Sequence, residues 1–479
     1  MKVVPSRRTS LVSCAPMLFA TLGACGDEPI TPSRSRVASV RIWPSSPLAI
    51  VGDTIQLKAT AYDSSGKELS GHFVFWSSKD DSKATMATSG VLSAKTVSSV
   101  DISASIEGQT ATTTVRIIPA PVTTHVRDFF TAFSWPGKVY TEPIPTQTYD
   151  VSQCPETPGA PCLQADAYRA QWNDVTDWKT VAEWAADPRH RGHLYVVGDD
   201  VNAQHGFGGK YWLNPALYAV DYCTFVRNVS AVDPIAEFGT SMIHPTEATA
   251  LSRWLNEFAD SVLSHYRAGK CGTRPIAEWT FNVYAPFSQG AAGFADYVGR
   301  WAEWAVTRPA PIGAPLVLGA FVLGWPPDDV PDNDPRYIER VREVKTWLFG
   351  NRNIRQAKYL LFEPWHPEAS DPHPLADANG NLNATGRAYA EVTGRISGPT
   401  LVRPNASCLW VAETTAGKAP YTYEWLVNGE SVGKRHWLLK PNVGAPFKLQ
   451  LRVTDANGGI STASIVVSVS DDARTCAPL

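Results

Sequence analysis

The chain has 479 residues, 44% of them hydrophobic and 19% charged, with 17 Trp, 37 Pro and a formal net charge of −3. This length fits about three domains, and the apolar fraction is enough to build packed cores. No basic stripe or block of Lys and Arg selects nucleic acid as a partner. No Gly-x-Ser-x-Gly elbow, Walker loop or dinucleotide fingerprint occurs, which removes several common enzyme classes.

Residues 1–24 read as a signal peptide: Arg7 and Arg8 form a positive start, and the apolar run that follows is too short to span a bilayer. Losing Lys2, Arg7 and Arg8 with this leader takes the formal charge from −3 to −6. The stretch Leu22-Gly23-Ala24-Cys25 resembles the lipobox of bacterial lipoproteins. That resemblance implies cleavage before Cys25 and lipidation of its thiol, against the plainer reading of an ordinary signal peptide with an incidental cysteine. Each buried CH₂ of an acyl chain contributes about 0.8 kcal/mol, so a multiply acylated Cys25 holds the protein to a membrane while the rest stays soluble. Gly26 follows where an Asp would retain the protein at the inner membrane in Gram-negative families, so the resemblance implies the outer membrane or cell surface. Residues 25–36, with Pro29, Pro32, Ser33 and Ser35, make a lipid-anchored linker.

Residues 37–118 run in short alternating strands separated by Gly and Asp turns, the pattern of a small β-sandwich. Val51-Gly52-Asp53-Thr54-Ile55-Gln56-Leu57, Trp76-Ser77-Ser78, Gly90-Val91-Leu92 and Val115-Arg116-Ile117 resemble the bacterial Ig-like group 2 domain. Such domains act as spacers or adhesion modules.

Residues 122–397 alternate apolar strands, read at 127–134, 194–198, 235–243, 276–284, 316–324 and 359–362, with amphipathic helices at 178–186, 247–266, 291–306 and 337–349. Alternation of β and α over this length predicts a (β/α)8 TIM-barrel-like central domain. Six strands are legible, and the Pro- and Thr-rich stretch 136–165 is expected to hold one or two more.

The last unit, Tyr359-Leu360-Leu361-Phe362-Glu363-Pro364-Trp365 with Pro374-Leu375-Ala376-Asp377 and Gly386-Arg387-Ala388-Tyr389, resembles the end of retaining TIM-barrel glycosidases. Leu194-Tyr195-Val196-Val197-Gly198-Asp199-Asp200-Val201-Asn202 resembles the fourth strand of that superfamily, which ends in Gly-Asn-Glu-Pro with the glutamate as acid/base. Here Asp199 and Asp200 stand at the Asn and Glu places. The segment 279–287, with Asn282 and Tyr284, resembles the sixth strand, where the family carries substrate contacts. The strand 315–321 falls where the family places its nucleophile and brings Gly319 and Ala320, which cannot act as one.

Glycoside hydrolysis needs two carboxylates flanking the bond, one a proton donor with raised pKa and the other a nucleophile or a base for water. Asp200 and Glu363 are the catalytic candidates, a non-standard pair at the carboxyl end of the barrel. Asp199, Asn202, His205, Trp212, Asn282, Tyr284, Trp325, Trp365 and His366 are the substrate-binding candidates, since aromatic faces stack on pyranose rings. Each has a plainer alternative: Asp199 and Asp200 can cap a loop or helix, the Gly-rich loop after Asn202 can be only a loop, and large aromatics mostly build cores. The acidic run Asp328, Asp329, Asp332 and Asp334 matches no EF-hand and reads as a solvated loop, and the donor types at His366, Glu368, Asp371 and His373 lack metal-site spacing. No metal and no cofactor is expected.

Residues 398–470 form a second sandwich, followed by a tail at 471–479. Tyr421-Thr422-Tyr423-Glu424-Trp425, Asn428-Gly429 and the run from Leu449 to Gly458 resemble a PKD-type Ig-like domain, a spacer in the simpler reading and a glycan binder in the other. Of eight cysteines, six remain beyond the leader and Cys25, and an even number in an oxidising compartment suggests disulfides. The local pairs are Cys154 with Cys162, Cys223 with Cys271, and Cys408 with Cys476, among 15 connectivities. A zinc site is the weaker reading, since no Cys-x-x-Cys occurs.

The expected architecture is therefore multidomain, a TIM-barrel-like unit flanked by two all-β Ig-like sandwiches. The expected function is a monomeric, membrane-anchored surface protein that engages a polysaccharide or glycoconjugate and hydrolyses it. The alternatives are a catalytically inactive glycan-binding or adhesion protein, or a surface scaffold.

Overall fold

A computed structural model describes residues 36–126, 129–135, 146–148, 162–163, 169–172, 175–198, 210–241, 243, 248–285, 287–323, 334–362, 375, 381–474 and 476. Cys25, Cys154 and the leader lie outside the described residues. The chain is multidomain, with two sandwiches of Ig-like type around a parallel α/β unit.

In the first sandwich, the hairpin of Ser98–Ile106 and Gln109–Ile118 is closed by Glu107 and Gly108 at φ of 46° and 83°. Both residues are left-handed, as a two-residue hairpin turn demands. Val100, Ile102 and Ala104 alternate inward with Val115 and Ile117, and they meet Ile42, Ile55, Leu57 and Leu92 in one apolar core. In the second sandwich Phe447–Thr454 pairs with Thr422–Val427 on one side and Ile460–Val469 on the other. Trp410 and Trp425 are wholly buried, and their indole N–H groups donate to the carbonyls of Pro399 and Arg435 at 3.0 and 2.9 Å. The Asp455 turn is held by its own carboxylate, which accepts from the amides of Asn457, Gly459 and Lys418. The expected pairs Cys223–Cys271 and Cys408–Cys476 are formed, with Cα atoms 4.4 and 5.4 Å apart. Of Cys162 only its place in a two-residue strand is described.

The sandwiches meet each other directly. Leu48, Ile50 and Ile118 of the first pack on Leu409, Val411, Trp437 and Leu439 of the second. Ser46 and Ala406 form a parallel bridge, and Arg435 pairs with Asp53 at 2.7 Å. The strands that enter and leave the central unit, Thr124–His125 and Thr393–Ser397, both pair with the same strand of the second sandwich, Ala406–Thr415.

The central unit has eight strands in parallel: β1 (Phe130–Trp135), β2 (Thr146–Thr148), β3 (Arg169–Trp172), β4 (Leu194–Val197), β5 (Glu237–Gly239), β6 (Trp279–Ala285), β7 (Leu316–Leu323) and β8 (Ile354–Phe362). They pair as β2-β1-β8-β7-β6 and as β3-β4-β5, with Cys162–Leu163 antiparallel on β3. The two groups join between β5 and β6. Gly239 bridges to Glu278 and Ile243 to Phe281, through bonds such as Ala277 N to Phe238 O at 2.7 Å and Asn282 N to Ile243 O at 2.9 Å. The order is thus β3-β4-β5-β6-β7-β8-β1-β2, and among the described residues no pairing joins β2 to β3. The sequence makes six of these strands legible; β2 lies in the stretch expected to hide one, and β3 is additional.

A helix follows each strand from β3 onward: α1 (Trp178–Ala185), α2 (Pro215–Val232), α3 (Ala248–Arg267), α4 (Gly290–Val306), α5 (Pro335–Gly350) and α6 (Ala384–Ala390). α2 and α5 start alike. Asn214 and Asp334 cap the first turn with side-chain oxygens, and Pro215 and Pro335 occupy the first helical position, where no amide hydrogen is needed. Asp334 of the acidic run is thus a helix cap, bound to Arg336, whose guanidinium holds its carboxyl below the usual range.

Candidate functional site at the carboxyl edge of the parallel strands

Because all eight strands run the same way, their carboxyl ends lie on one edge of the array. β4 ends at Gly198, which takes φ 94°, a left-handed turn that suits glycine. Asp199, Asp200, Asn202 and His205 follow it in sequence, Trp325 follows β7, and Glu363, Trp365 and His366 follow β8. All eight lie outside the described residues.

The described residues at this edge include a set of tyrosine ties. Tyr218, in the first turn of α2, donates to the carbonyl of Val197, the last residue of β4, and its oxygen accepts from the amide of Ser241 beyond β5 at 3.1 Å. Tyr337, in the first turn of α5, donates to the carbonyl of Leu323, the last residue of β7, at 2.7 Å, and lies 2.8 Å from the Tyr359 hydroxyl of β8. Tyr389 of α6 donates to the carbonyl of Thr131 on β1 at 2.9 Å and reaches that of Ala357 on β8 at 3.3 Å. All three tyrosines are buried. Burial pushes the hydroxyls of Tyr218 and Tyr389 far above their ordinary pKa, so both stay neutral donors. Tyr218 and Tyr337 thus fix the ends of β4 and β7, which sets where the following loops begin, while Tyr389 ties β1 to β8 farther from the carboxyl edge.

Strand alternation separates two faces. On β6, Trp279, Phe281 and Val283 pack into the helix layer, against Phe258, Trp301 and Trp304 among others. Glu278, Thr280, Asn282 and Tyr284 therefore share the opposite face, the first three buried and Tyr284 half-buried. On β8, Ala357 and Tyr359 belong to the helix side, which turns Gln356 and Lys358 to the other. On β1, Phe130 packs on Phe349 and Tyr389, which turns Thr131 the same way. β1, β6 and β8 thus share a polar inner face, and Asn282 and Tyr284 stand on it toward the carboxyl edge, while β7 is apolar on both faces. Sequence reasoning passed over Glu278, Thr280, Gln356 and Lys358, although the alternation Glu-Trp-Thr-Phe-Asn-Val-Tyr over 278–284 signals the first two.

Glu278 stands at the amino-terminal edge, where Arg355 lies 3.7 Å from it and 3.7 Å from Glu237. This cluster is on the edge that in parallel barrels serves stability. β7 is buried along its whole length, and its pairing with β6 skips Gly319, which forms a bulge between Leu318 and Ala320. No carboxylate is present on it.

Of the aromatic candidates, Trp212 is exposed in the turn before α2, whereas its neighbour Tyr211 is buried and donates to Asp221 at 2.7 Å. Among the described residues no group of three or more His, Cys, Asp and Glu side chains comes together as a metal would need.

α6, which returns from the carboxyl edge, is pinned by Lys345 of α5. The wholly buried ammonium donates to the carbonyls of Ala388, Tyr389 and Glu391 at the end of α6. Burial pushes its pKa down to about 7, with Glu391 opposing and Arg342 adding to the shift.

No protein-family model and no curated protein matches the sequence. Solved structures similar to parts of it include a bacterial Ig-like domain-containing GH10 xylanase from termite gut, at 10% identity over 72% of this chain and 97% of that one, with a TM-score of 0.34. A GH128 endo-β-1,3-glucanase from Sorangium cellulosum is 16% identical over 46% of this chain and 78% of that one, also with a TM-score of 0.34. Domains 4 and 5 of the S-layer protein SbsC are 15% identical over 17% of this chain, with a TM-score of 0.16, and the match spans 53% of that fragment. Superpositions this loose carry no weight for the chemistry, which rests on the residues above. Among the described residues no helix is long and apolar enough to cross a membrane.

Proposed function

We propose that the chain is a surface lipoprotein, anchored through an acylated Cys25, whose central unit is a closed (β/α)8 barrel of glycosidase type acting on an extracellular polysaccharide. The observation that supports this reading is the order β3-β4-β5-β6-β7-β8-β1-β2 of eight parallel strands, with β8 paired to β1 and, among the described residues, the β2–β3 junction unpaired. Closing that junction makes an eight-stave ring, and in such rings the site forms at the carboxyl edge. The two disulfides fit an oxidising, extracytoplasmic compartment.

β4 and β8 stand four strands apart by either route around that ring. Asp200 and Glu363 then face each other across its mouth, with Asn282, Tyr284 and the candidate tryptophans between them. Asp200 donates the proton to the leaving oxygen, which requires a raised pKa, and Glu363 acts as nucleophile or as base for water. A separation of about 5 Å makes the enzyme retaining, and about 6.5 to 9.5 Å makes it inverting. The test is a polysaccharide-hydrolysis screen of the full chain beside D200N and E363Q. Each variant is expected to lose at least about a hundredfold in kcat/KM with its melting temperature unchanged. Hydrolysis at the parent rate in both variants refutes the pair.

A second reading, glycan binding without hydrolysis, is favoured by β7. Its buried, apolar course and the Gly319 bulge leave the family's nucleophile position without a carboxylate. Saturable binding to a polysaccharide that is never cleaved selects it.

A further inference from the structure

The seam between the sandwiches forms an open cleft with a volume of about 430 Å³. Along Gln109–Ile118, Val115 and Ile117 point into the sandwich core, so Thr112, Thr114 and Arg116 face outward and line the cavity. Ser45 and Ser46 close it on the same sandwich, and Ser407 closes it from the other, beside the Ser46–Ala406 bridge. Arg116 is half-buried and has no carboxylate within ion-pair distance among the described residues; the nearby Asp101 is taken by Lys79 at 3.2 Å and by Thr114 at 2.8 Å. Ser407 is 4% exposed, and its hydroxyl has no hydrogen-bond partner among the described residues. A partly desolvated guanidinium and an unpaired buried hydroxyl are both costly unless a ligand completes them.

A second cavity of about 400 Å³ abuts the same two segments at Trp43, Pro44 and Asn405, and is lined by Tyr62, Thr60, Lys58 and Glu68, the last two paired with each other at 3.8 Å. The Trp43 and Tyr62 rings of this neighbouring cavity, next to the hydroxyl-lined first one, suit a sugar better than a bare ion. We infer that the seam is a binding site for a carboxylate-bearing saccharide, its carboxylate on Arg116 and its hydroxyls on Ser45, Ser46, Thr112 and Ser407. A guanidinium meets a carboxylate in a two-pronged, charge-assisted bond, and this sets the preference for acidic over neutral sugars. The site is independent of the barrel's activity.

The test is calorimetric titration of the full chain with trimers of galacturonate, glucuronate and mannuronate, with a neutral galactose trimer, and with inorganic phosphate. At least one acidic trimer is expected to bind about tenfold or more tighter than either control. R116Q is expected to abolish that preference, R116K to restore part of it, and S407A to weaken binding severalfold, all with parent-like melting. D200N and E363Q leave it unchanged, which separates this site from the barrel mouth. Absence of binding by every acidic trimer, equal binding of the neutral trimer or of phosphate, or an undiminished preference in a folded R116Q overturns the inference.

Discussion

The sandwiches and the parallel array solve the burial problem differently. Each sandwich closes on an apolar interior, as with Trp410, Trp425, Leu449, Leu451 and Val453 in the second. The array buries apolar side chains on its helix side and along both faces of β7, and places Thr131, Thr280, Asn282, Gln356 and Lys358 on the inner face of β1, β6 and β8. Apolar burial suffices for stability, so a polar inner face that must be matched by hydrogen bonds marks where a fold has given up cohesion for something else. The tyrosine ties at the strand ends belong to the same trade.

Four substitutions separate the two regimes. Trp425→Ala is expected to cost about 3 to 5 kcal/mol, from the cavity and the lost bond to Arg435 O, measured by denaturant unfolding, with glycan hydrolysis at 25 °C intact where the chain stays folded. Lys345 comes next. Its folded pKa of about 7 lies below its ordinary value of 10.5, so the unfolded chain binds more protons between them. The cost of burying the charge is full below about pH 7 and is lost as pH rises toward the ordinary lysine range, a gain of a few kcal/mol at most. K345M is expected to flatten that slope in melts across pH 6 to 10, and an unchanged slope refutes the assignment.

Tyr218→Phe removes the donor to Val197 O and the acceptor for Ser241 N, and is expected to cost about 2 kcal/mol. Because those bonds fix the ends of β4 and β5, it is also expected to lower kcat/KM more than a sandwich variant of equal stability does. Equal activity at equal stability removes Tyr218 from the site. The smallest effect is expected for Arg435→Gln at the seam, under about 1 kcal/mol, since the pair with Asp53 is largely exposed and screened by salt.

Legibility followed periodicity. The burial of β7 and the stripes of α3, α4 and α5 are plain in sequence because long apolar patterns have few competing explanations. β2 and β3 are three and four residues long and lack any such run. α2 escaped because its aromatic residues, Tyr218, Tyr222 and Phe225, mix with Asp221 and Arg227 over a helix buried on much of its circumference. The contact between the sandwiches was illegible, since Leu48, Ile50, Leu409 and Val411 read equally well as parts of their own cores. The site was legible only as residue types at strand ends; the ties that hold those ends join residues far apart in sequence, which no local pattern records.

The stitching of both ends of the array to Ala406–Thr415 bears on the order of events during folding. His125 and Thr414 lie side by side although 289 residues part them. Closing a loop of that length costs about 5 kcal/mol in chain entropy. The pairing therefore waits until the strand at 406–415 has been synthesised. Until then the array must hold together by its own strand pairing, and a chain truncated before residue 406 keeps every candidate site residue while leaving the strands that enter and leave the array without their common clasp.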